Sequence, residues 1–501
     1  WFELFPTYVI KQLSGTRLNL FRAWALVLNR HHTDAQPIID SFLKGEVSNH
    51  PPSLVIEARA LQCLQLSMTD SIEQCHRESN ELIQLLAPDQ SLEYGVLTSI
   101  ISYCLIASNK FEDAKQSMAR AMQSDQHLKS TFIRSLSDAQ DGTIDLIQGR
   151  LSHSLARLES SYERVWCTSE KTLPGGKATI GIPFAEVLYD LNELDRARHI
   201  LGECLAFSRE NGTVDSLITS YVLLTRIALA HGERENALRY IQELQEFSID
   251  CGLLRANAAA QLEMVRLLWL DGDIENSSHR LDQLEILDVW QPSSGYHLPA
   301  QDLDNPTIMR WRLNTRSLHN SSMISELNEA ICESKQASRN RRALKLRILL
   351  CLALDADNKL DQALDNLTEA LKVASKEGFV RIFLDEGPDF QNLIKKWIQQ
   401  YGTQVNSLPI SPEFLSKLIL QKEATSESPT QLRDLTPTEA LTRRELEVLK
   451  NLAEGIRNRA MAERMFVSET TIKAHLRNIS AKLGANSRTE AVAIARRHGF
   501  I

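Results

Sequence analysis

The sequence predicts an all-α protein, a superhelical array of helix pairs followed by a small helix-turn-helix module, and three observations carry that prediction. A turn recurs along most of the chain, beginning at Asn109, Gly149, Asn192, Gly232, Gly272 and Asn358. Near the C-terminus, a helix from Glu469 to Leu483 has one apolar and one small, basic face. Charge divides accordingly: the final 61 residues hold 12 Lys and Arg against 6 Asp and Glu, leaving 44 against 58 in the first 440. A basic module thus follows an acidic body, and only the module carries the electrostatic signature of a polyanion partner.

The turns begin 40, 43, 40, 40 and 86 residues apart. Each has Asn or Gly, four mostly polar residues, then Ala or Ser opening the next helix, as in Asn192 to Ala197. The long interval is read as two repeats, with a degraded turn near His319 and Asn320, and weaker turns near Asn29 to Ala35 and Ser67 to Ser71 extend the rhythm upstream. After each turn, small or apolar residues recur at helical spacing, for example Ala197, Ile200, Leu201, Cys204 and Leu205. Each pair buries one face on the next, so none is stable alone. Tyr103, Tyr189 and Tyr221 fall on the first helices of their repeats, where they either line a concave surface or pack in the core. Aromatic residues at that spacing are expected to pack.

After the repeats comes Gly378 to Pro388, whose Gly387-Pro388 must break a helix. Asp385 and Glu386 are expected in a solvated turn rather than as paired catalytic carboxylates. Residues 389–420 read as one or two further helices, and 421–440, polar with two prolines, as a linker. The expected organisation is therefore a solenoid over 1–388, its terminal helices over 389–420, a linker over 421–440 and the module over 441–501.

Within the module, Thr442 to Glu445 is a capping box, followed by Leu446, Leu449 and Leu452 before Gly455. Ser468 caps the long helix, and Glu469 complements its dipole. Ile472, Leu476, Ile479 and Leu483 form one core stripe, while Thr470, Lys473, Ala474 and Arg477 occupy another face. Small residues beside two long cations suit a helix entering the major groove of DNA. Arg488 to His498 supplies a fourth helix.

Residues 441–501 resemble the four-helix DNA-binding domain of the LuxR family of transcription regulators. The motifs are Leu-Thr-x-Arg-Glu-x-Glu-Val-Leu from Leu441, Leu-Ala-Glu-Gly from Leu452, Val-Ser-x-x-Thr-Ile-Lys-x-His from Val467, Ile-x-x-Lys-Leu from Ile479 and Arg-x-Glu-Ala from Arg488. One departure is Ala460, where the family usually has an acidic or amide residue. The resemblance implies base reading by Lys473, Ala474 and Arg477. Asn458, Arg459, Ser468, Thr470, Thr471 and Arg488 are candidates for the phosphate backbone.

The repeats, with Gly378-Phe379-Val380-Arg381-Ile382-Phe383-Leu384-Asp385-Glu386-Gly387-Pro388, resemble the long tetratricopeptide-like solenoid of the MalT-type subgroup of that family, which binds ATP. Several expectations follow from this resemblance: a promoter-binding, inducer-responsive activator, a small inducer or regulatory protein on the solenoid, and homo-oligomers on DNA, with Ala491, Val492 and Ala495 pairing two modules. The subgroup's ATPase module precedes its repeats. ATP is expected only if such a module exists upstream of Trp1, and no cofactor is expected within these 501 residues. The alternative is a helical-repeat scaffold whose basic tail binds nucleic acid without sequence preference.

Enzyme signatures fail on chemistry. Gly176-Lys177 ends like a phosphate-binding loop, yet Lys171 stands where that loop needs glycine and Ala178 where it needs Ser or Thr, so a surface loop is expected there. His31, His32 and Asp34 lack a further ligand at helical spacing. Eight cysteines, none in a Cys-x-x-Cys pair, read as reduced thiols of a cytoplasmic protein, buried in the cases of Cys104, Cys204 and Cys351. No apolar run reaches membrane-spanning length.

Overall fold

The computed structural model describes residues 15–43, 50–86, 91–124, 131–167, 174–290, 295–315, 321–402 and 407–419, together with 448, 449, 451–453, 456, 461, 472 and 476. The chain divides into two compact units after Ala424. All regular structure among the described residues is helical.

The first unit opens with seven helix hairpins: α1 (Gly15–Leu28) with α2 (His32–Leu43), α3 (Pro52–Met68) with α4 (Ile72–Ile83), α5 (Ser91–Ala107) with α6 (Phe111–Ser124), and α7 (Thr131–Ile147) with α8 (Leu151–Cys167). Then follow α9 (Pro174–Asp190) with α10 (Leu194–Glu210), α11 (Val214–Ala230) with α12 (Arg234–Asp250), and α13 (Leu254–Leu270) with α14 (Ile274–Glu285). The run Pro174 to Lys177, expected as a surface loop, instead opens α9, because proline is well placed in a helix's first turn.

The recurring Asn or Gly has a backbone cause. Asn109, Gly149, Asn192, Gly232, Gly272 and Asn358 all have positive φ, as do Arg30 and Asp70 at the two weak upstream turns. This left-handed residue ends the first helix of each pair. Asn192 N–H donates to Tyr189 O at 2.8 Å and Glu193 N–H to Leu188 O at 2.8 Å, satisfying carbonyls that the helix end leaves open. Five residues beyond each left-handed position stands a small, fully buried side chain: Ala35, Cys75, Ala114, Ser154, Ala197, Ala237, Ser277 or Ala363. Where it is not alanine, its polar atom donates back across the hairpin, Ser154 Oγ to Gly142 O at 2.7 Å and Ser277 Oγ to Val265 O at 3.0 Å.

The 86-residue interval holds an irregular pair. After a short 3₁₀ turn at Pro299–Asp302, the nine-residue α15 (Pro306–Asn314) stands where every other first helix after α1 has seventeen residues, followed by α16 (Ser321–Gln336). The predicted degraded turn at His319 and Asn320 lies outside the described residues. The last pair is α17 (Asn340–Ala356) with α18 (Leu360–Glu377). Gly378 ends α18 at φ 93, and a Cβ there would meet Leu191 Cδ2 at 2.8 Å, so both backbone and space require glycine.

Successive turns of the superhelix close on one another. Arg30 Nε donates to Arg209 O at 2.6 Å, Arg255 to Asp70 at 2.8 and 2.9 Å, Arg339 Nε to Asn109 Oδ1 at 2.6 Å, and Asn340 Nδ2 to Gln148 O at 3.0 Å. The chain between these partners spans 179 to 230 residues. The short α19 (Arg381–Leu384), α20 (Gly387–Tyr401) and α21 (Pro412–Ile419) finish the unit around Phe383, whose ring lies 5.3 Å from Phe390 and 6.3 Å from Phe414. Gly387-Pro388 does not only break a helix: Pro388 sits in the first turn of α20.

Candidate nucleic-acid interface and the axial charge network

In the second unit, the described side chains are those of a core. Val448, Leu449, Met461 and Ile472 are fully buried, and Leu476 nearly so. Ile456 N–H returns to Asn451 O at 3.1 Å, the wrap-round bond that closes a helix C-terminus ahead of the next element. Ile472 and Leu476 are helical, and they are the first two members of the stripe expected to face inward. Lys473, Ala474, Arg477, Asn458, Arg459, Ser468, Thr470, Thr471 and Arg488 lie outside the described residues, as do Ala491, Val492 and Ala495.

The first unit contains a site that the sequence reading did not assemble. Arg226, on α11, donates to Glu263 of α13 through Nε at 3.1 Å and to Asp304 at 3.0 Å. Arg312, on α15, reaches the same Asp304 at 2.7 and 2.9 Å and holds Glu386 through two bonds of 2.8 Å. Asp385 accepts from Tyr189 at 2.8 and 2.9 Å and from Arg381 at 2.6 and 3.0 Å, while its carbonyl accepts from Arg266 at 2.7 Å. On α17, Lys345 donates to the Asp302 and Leu303 carbonyls at 2.7 and 2.6 Å, and Arg341 pairs with Asp190 at 2.7 Å. Every one of these side chains is buried.

This geometry corrects one expectation and bears out another. Asp385 and Glu386 are not in a solvated turn. They are 8% and 1% exposed, drawn inward because four buried arginines from α11, α13, α15 and α19 need anions. Tyr189 and Tyr221 are core residues, as periodicity favoured, and Tyr103 donates its hydroxyl to buried Asp215.

Burial alone would raise the Asp304 carboxyl, but Arg312 and Arg226 outweigh it and hold the group down at about 2. Asp385 is likewise held well below the carboxylate range against burial, chiefly by Arg381, Arg266 and Arg226. Burial pulls Lys345 down to about 8, with Asp304 opposing. Arginines thus hold Asp304 and Asp385 below the usual carboxylate range, whereas at Asp190 burial wins over Arg341 and raises the carboxyl.

Residues 57–400 match the family described as the MalT-like TPR region, which is more than half of the chain. The chain belongs to the MalT-like family. Its C-terminal residues 439–495 match the bacterial regulatory proteins of the luxR family. Among curated relatives, the HTH-type transcriptional regulator MalT of Vibrio cholerae is 26% identical over 343 residues, covering 62% of this chain and 35% of the relative. MalT of Vibrio campbellii is 27% identical over 341 residues, with the same coverage. The HTH-type transcriptional regulator AlkS of Pseudomonas putida is 21% identical over 436 residues, 84% of this chain and 46% of the relative. The MalT-like chain thus spans between about a third and a half of these relatives' length.

Its axial charges left one sequence signal. Arg226 interrupts the apolar run Val222-Leu223-Leu224-Thr225-Arg226-Ile227-Ala228, and Arg266 interrupts Met264 to Leu268. A lone cation inside an all-apolar helix must find a buried anion. Which anion it finds was not legible, since Arg226 and Asp304 are 78 residues apart. Among the described residues, five thiols are buried, Cys251 is half-buried and Cys332 exposed, all free. No helix of the described residues is long and apolar enough to cross a membrane.

Proposed function

We propose that this chain is the sensing and DNA-binding portion of a cytoplasmic transcription regulator, an inducer-responsive activator that places the helix from Glu469 to Leu483 in the major groove of promoter DNA. One observation carries the reading beyond family likeness: Ile472 and Leu476 are buried together. Helical residues advance by about 100° each, so relative to a core stripe through these two, a helix would carry Lys473 on the flank and Arg477 and Ala474 beyond it, on one continuous face away from the core. There they read base edges, while Asn458, Arg459, Ser468, Thr470, Thr471 and Arg488 hold phosphates. The luxR match over 439–495 and the regulators named MalT and AlkS among the relatives support it.

The proposed organisation keeps a solenoid over 1–388, terminal helices over 389–420, a linker over 421–440 and the DNA-binding module over 441–501. Two modules pair through Ala491, Val492 and Ala495 on half-sites about one helical turn apart. The repeats bind an inducer or a partner protein, these residues themselves need no cofactor, and ATP would enter only if a nucleotide-binding module accompanies them. Selection from random duplexes, followed by titration of wild type and Arg477→Ala, tests the reading. Arg477→Ala is expected to lose about 1–3 kcal/mol on the selected site and to relax specificity there. Indiscriminate binding of all duplexes by the wild type would instead make this a scaffold with a basic tail.

A further inference from the structure

A cavity of about 320 Å³ opens where the α3–α4 turn and the α12–α13 turn of the superhelix meet Asp288, Val289, Tyr296, Leu298 and Gln301. That volume falls at the lower end of the roughly 300–1,000 Å³ typical of small-molecule sites. Leu253 and Leu298 give it buried apolar walls, with Ile72 beside them. Leu254, 69% exposed, stands at the mouth with the exposed Asp288.

Its polar lining has a definite character. Arg255 is spent on Asp70 and Asp215, its three bonds lying at 2.8 to 2.9 Å. Asp288 then leaves the surroundings acidic, which disfavours anions. Gln301 is 8% exposed and lines the cavity. Its Oε1 accepts from Leu298 N–H at 2.9 Å, whereas its amide N–H₂ has no partner among the described residues. That nitrogen is open to the cavity rather than sealed off, so a ligand acceptor would take the place of water there.

We propose that this cavity is an effector site for an uncharged, amphipathic small molecule, whose oxygen accepts from Gln301 Nε2 and whose apolar body packs on Leu253, Leu298 and Ile72. The proposal rests on the reading of the repeats as a sensor. Its place in the fold gives the ligand leverage. Asp70 belongs to the second hairpin and Arg255 to the seventh, so an occupant touching both favours the closed spacing of successive superhelical turns.

The test uses two dyes with the purified chain: Prodan, an uncharged naphthalene ketone, and ANS, an anionic naphthalene sulfonate. Prodan is expected to saturate one site per chain with a blue shift, and ANS to bind at least about tenfold more weakly. Gln301→Leu should weaken Prodan about fivefold to tenfold, the loss of one hydrogen bond. Val289→Trp, which fills the cavity from a half-buried position, should abolish binding, with thermal melting confirming that each variant is folded. Leu254→Lys, at an exposed position where folding is not at stake, should bring ANS within about threefold of Prodan. No saturable Prodan binding, Prodan binding that ignores folded Val289→Trp, or an ANS affinity that ignores Leu254→Lys would each overturn the site. Sequence-specific DNA binding is measured on the same samples. Its absence alongside the expected dye results would sink the regulator reading and leave the cavity standing.

Discussion

Helices α11 and α12 form one hairpin, yet they solve opposite problems. α11 buries Val214, Asp215 and all of Leu217 to Ala228, while α12 buries only Ala237, Ile241, Leu244 and Ser248, a single stripe. Their arginines differ in the same way. Arg234 makes two bonds of 2.6 Å to Asp271 at the surface, with side chains 51% and 36% exposed. Arg226, on the inner helix, pairs with Glu263 and Asp304 at 3 to 5% exposure. Bond length does not separate these pairs, but solvent does. An exposed pair contributes about 0–1 kcal/mol, whereas removing one partner of a buried pair leaves an uncompensated charge.

The largest expected effect tests that contrast directly. Arg312→Ala strands Glu386 and half of Asp304 in the interior, and should cost about 3–5 kcal/mol in urea unfolding. Arg234→Ala should cost less than about 1 kcal/mol in the same assay. Equal losses would erase the distinction between inner and outer helices.

A second measurement sharpens the contrast through pH. Lys345 is held at about 8 in the folded chain against 10.5 when free, because it is buried. Between those values the unfolded chain binds more protons, so stability from this group rises with pH from about 8 to 10.5 and the penalty is constant below. Lys345→Met should remove that rise, on the order of 3 kcal/mol across the window. Unfolding profiles of wild type and variant that stay parallel from pH 8 to 10 would mean that Lys345 is hydrated.

The smallest effect concerns the turns that join inner to outer helices. Asn192→Ala forces a Cβ residue without asparagine's local hydrogen bonding into φ 65, costing about 1 kcal/mol, while Asn192→Gly should change stability by only a few tenths. A melting temperature equal for Ala and Gly at this position would show that the left-handed turn is dispensable.

Legibility in the sequence follows the same inner and outer division. Outer helices were readable because one face meets water, so that Ala197, Ile200, Leu201 and Cys204 stand out at helical spacing. Inner helices bury all sides, so their periodicity is lost; Asp385 and Glu386, between α19 and α20, looked like any polar turn because their arginine partners Arg226, Arg266 and Arg312 lie 74 or more residues away in sequence. In the second unit, the positions of Ile472 and Leu476 within the stripe sufficed to place them inward.

The sequence by itself determined the helical class, the roughly forty-residue rhythm and the inward placing of Ile472 and Leu476 in the C-terminal module. These depend on neighbours within a few residues: a left-handed turn residue, a small residue five positions on, a cap and a stripe. Only the tertiary structure decided which charges meet on the axis, that Gln301, Asp70 and Arg255 share one cavity, and that the superhelix closes on itself. Those contacts join residues up to 233 positions apart. No local pattern encodes such a meeting, because it depends on the summed rotation of every hairpin between the partners.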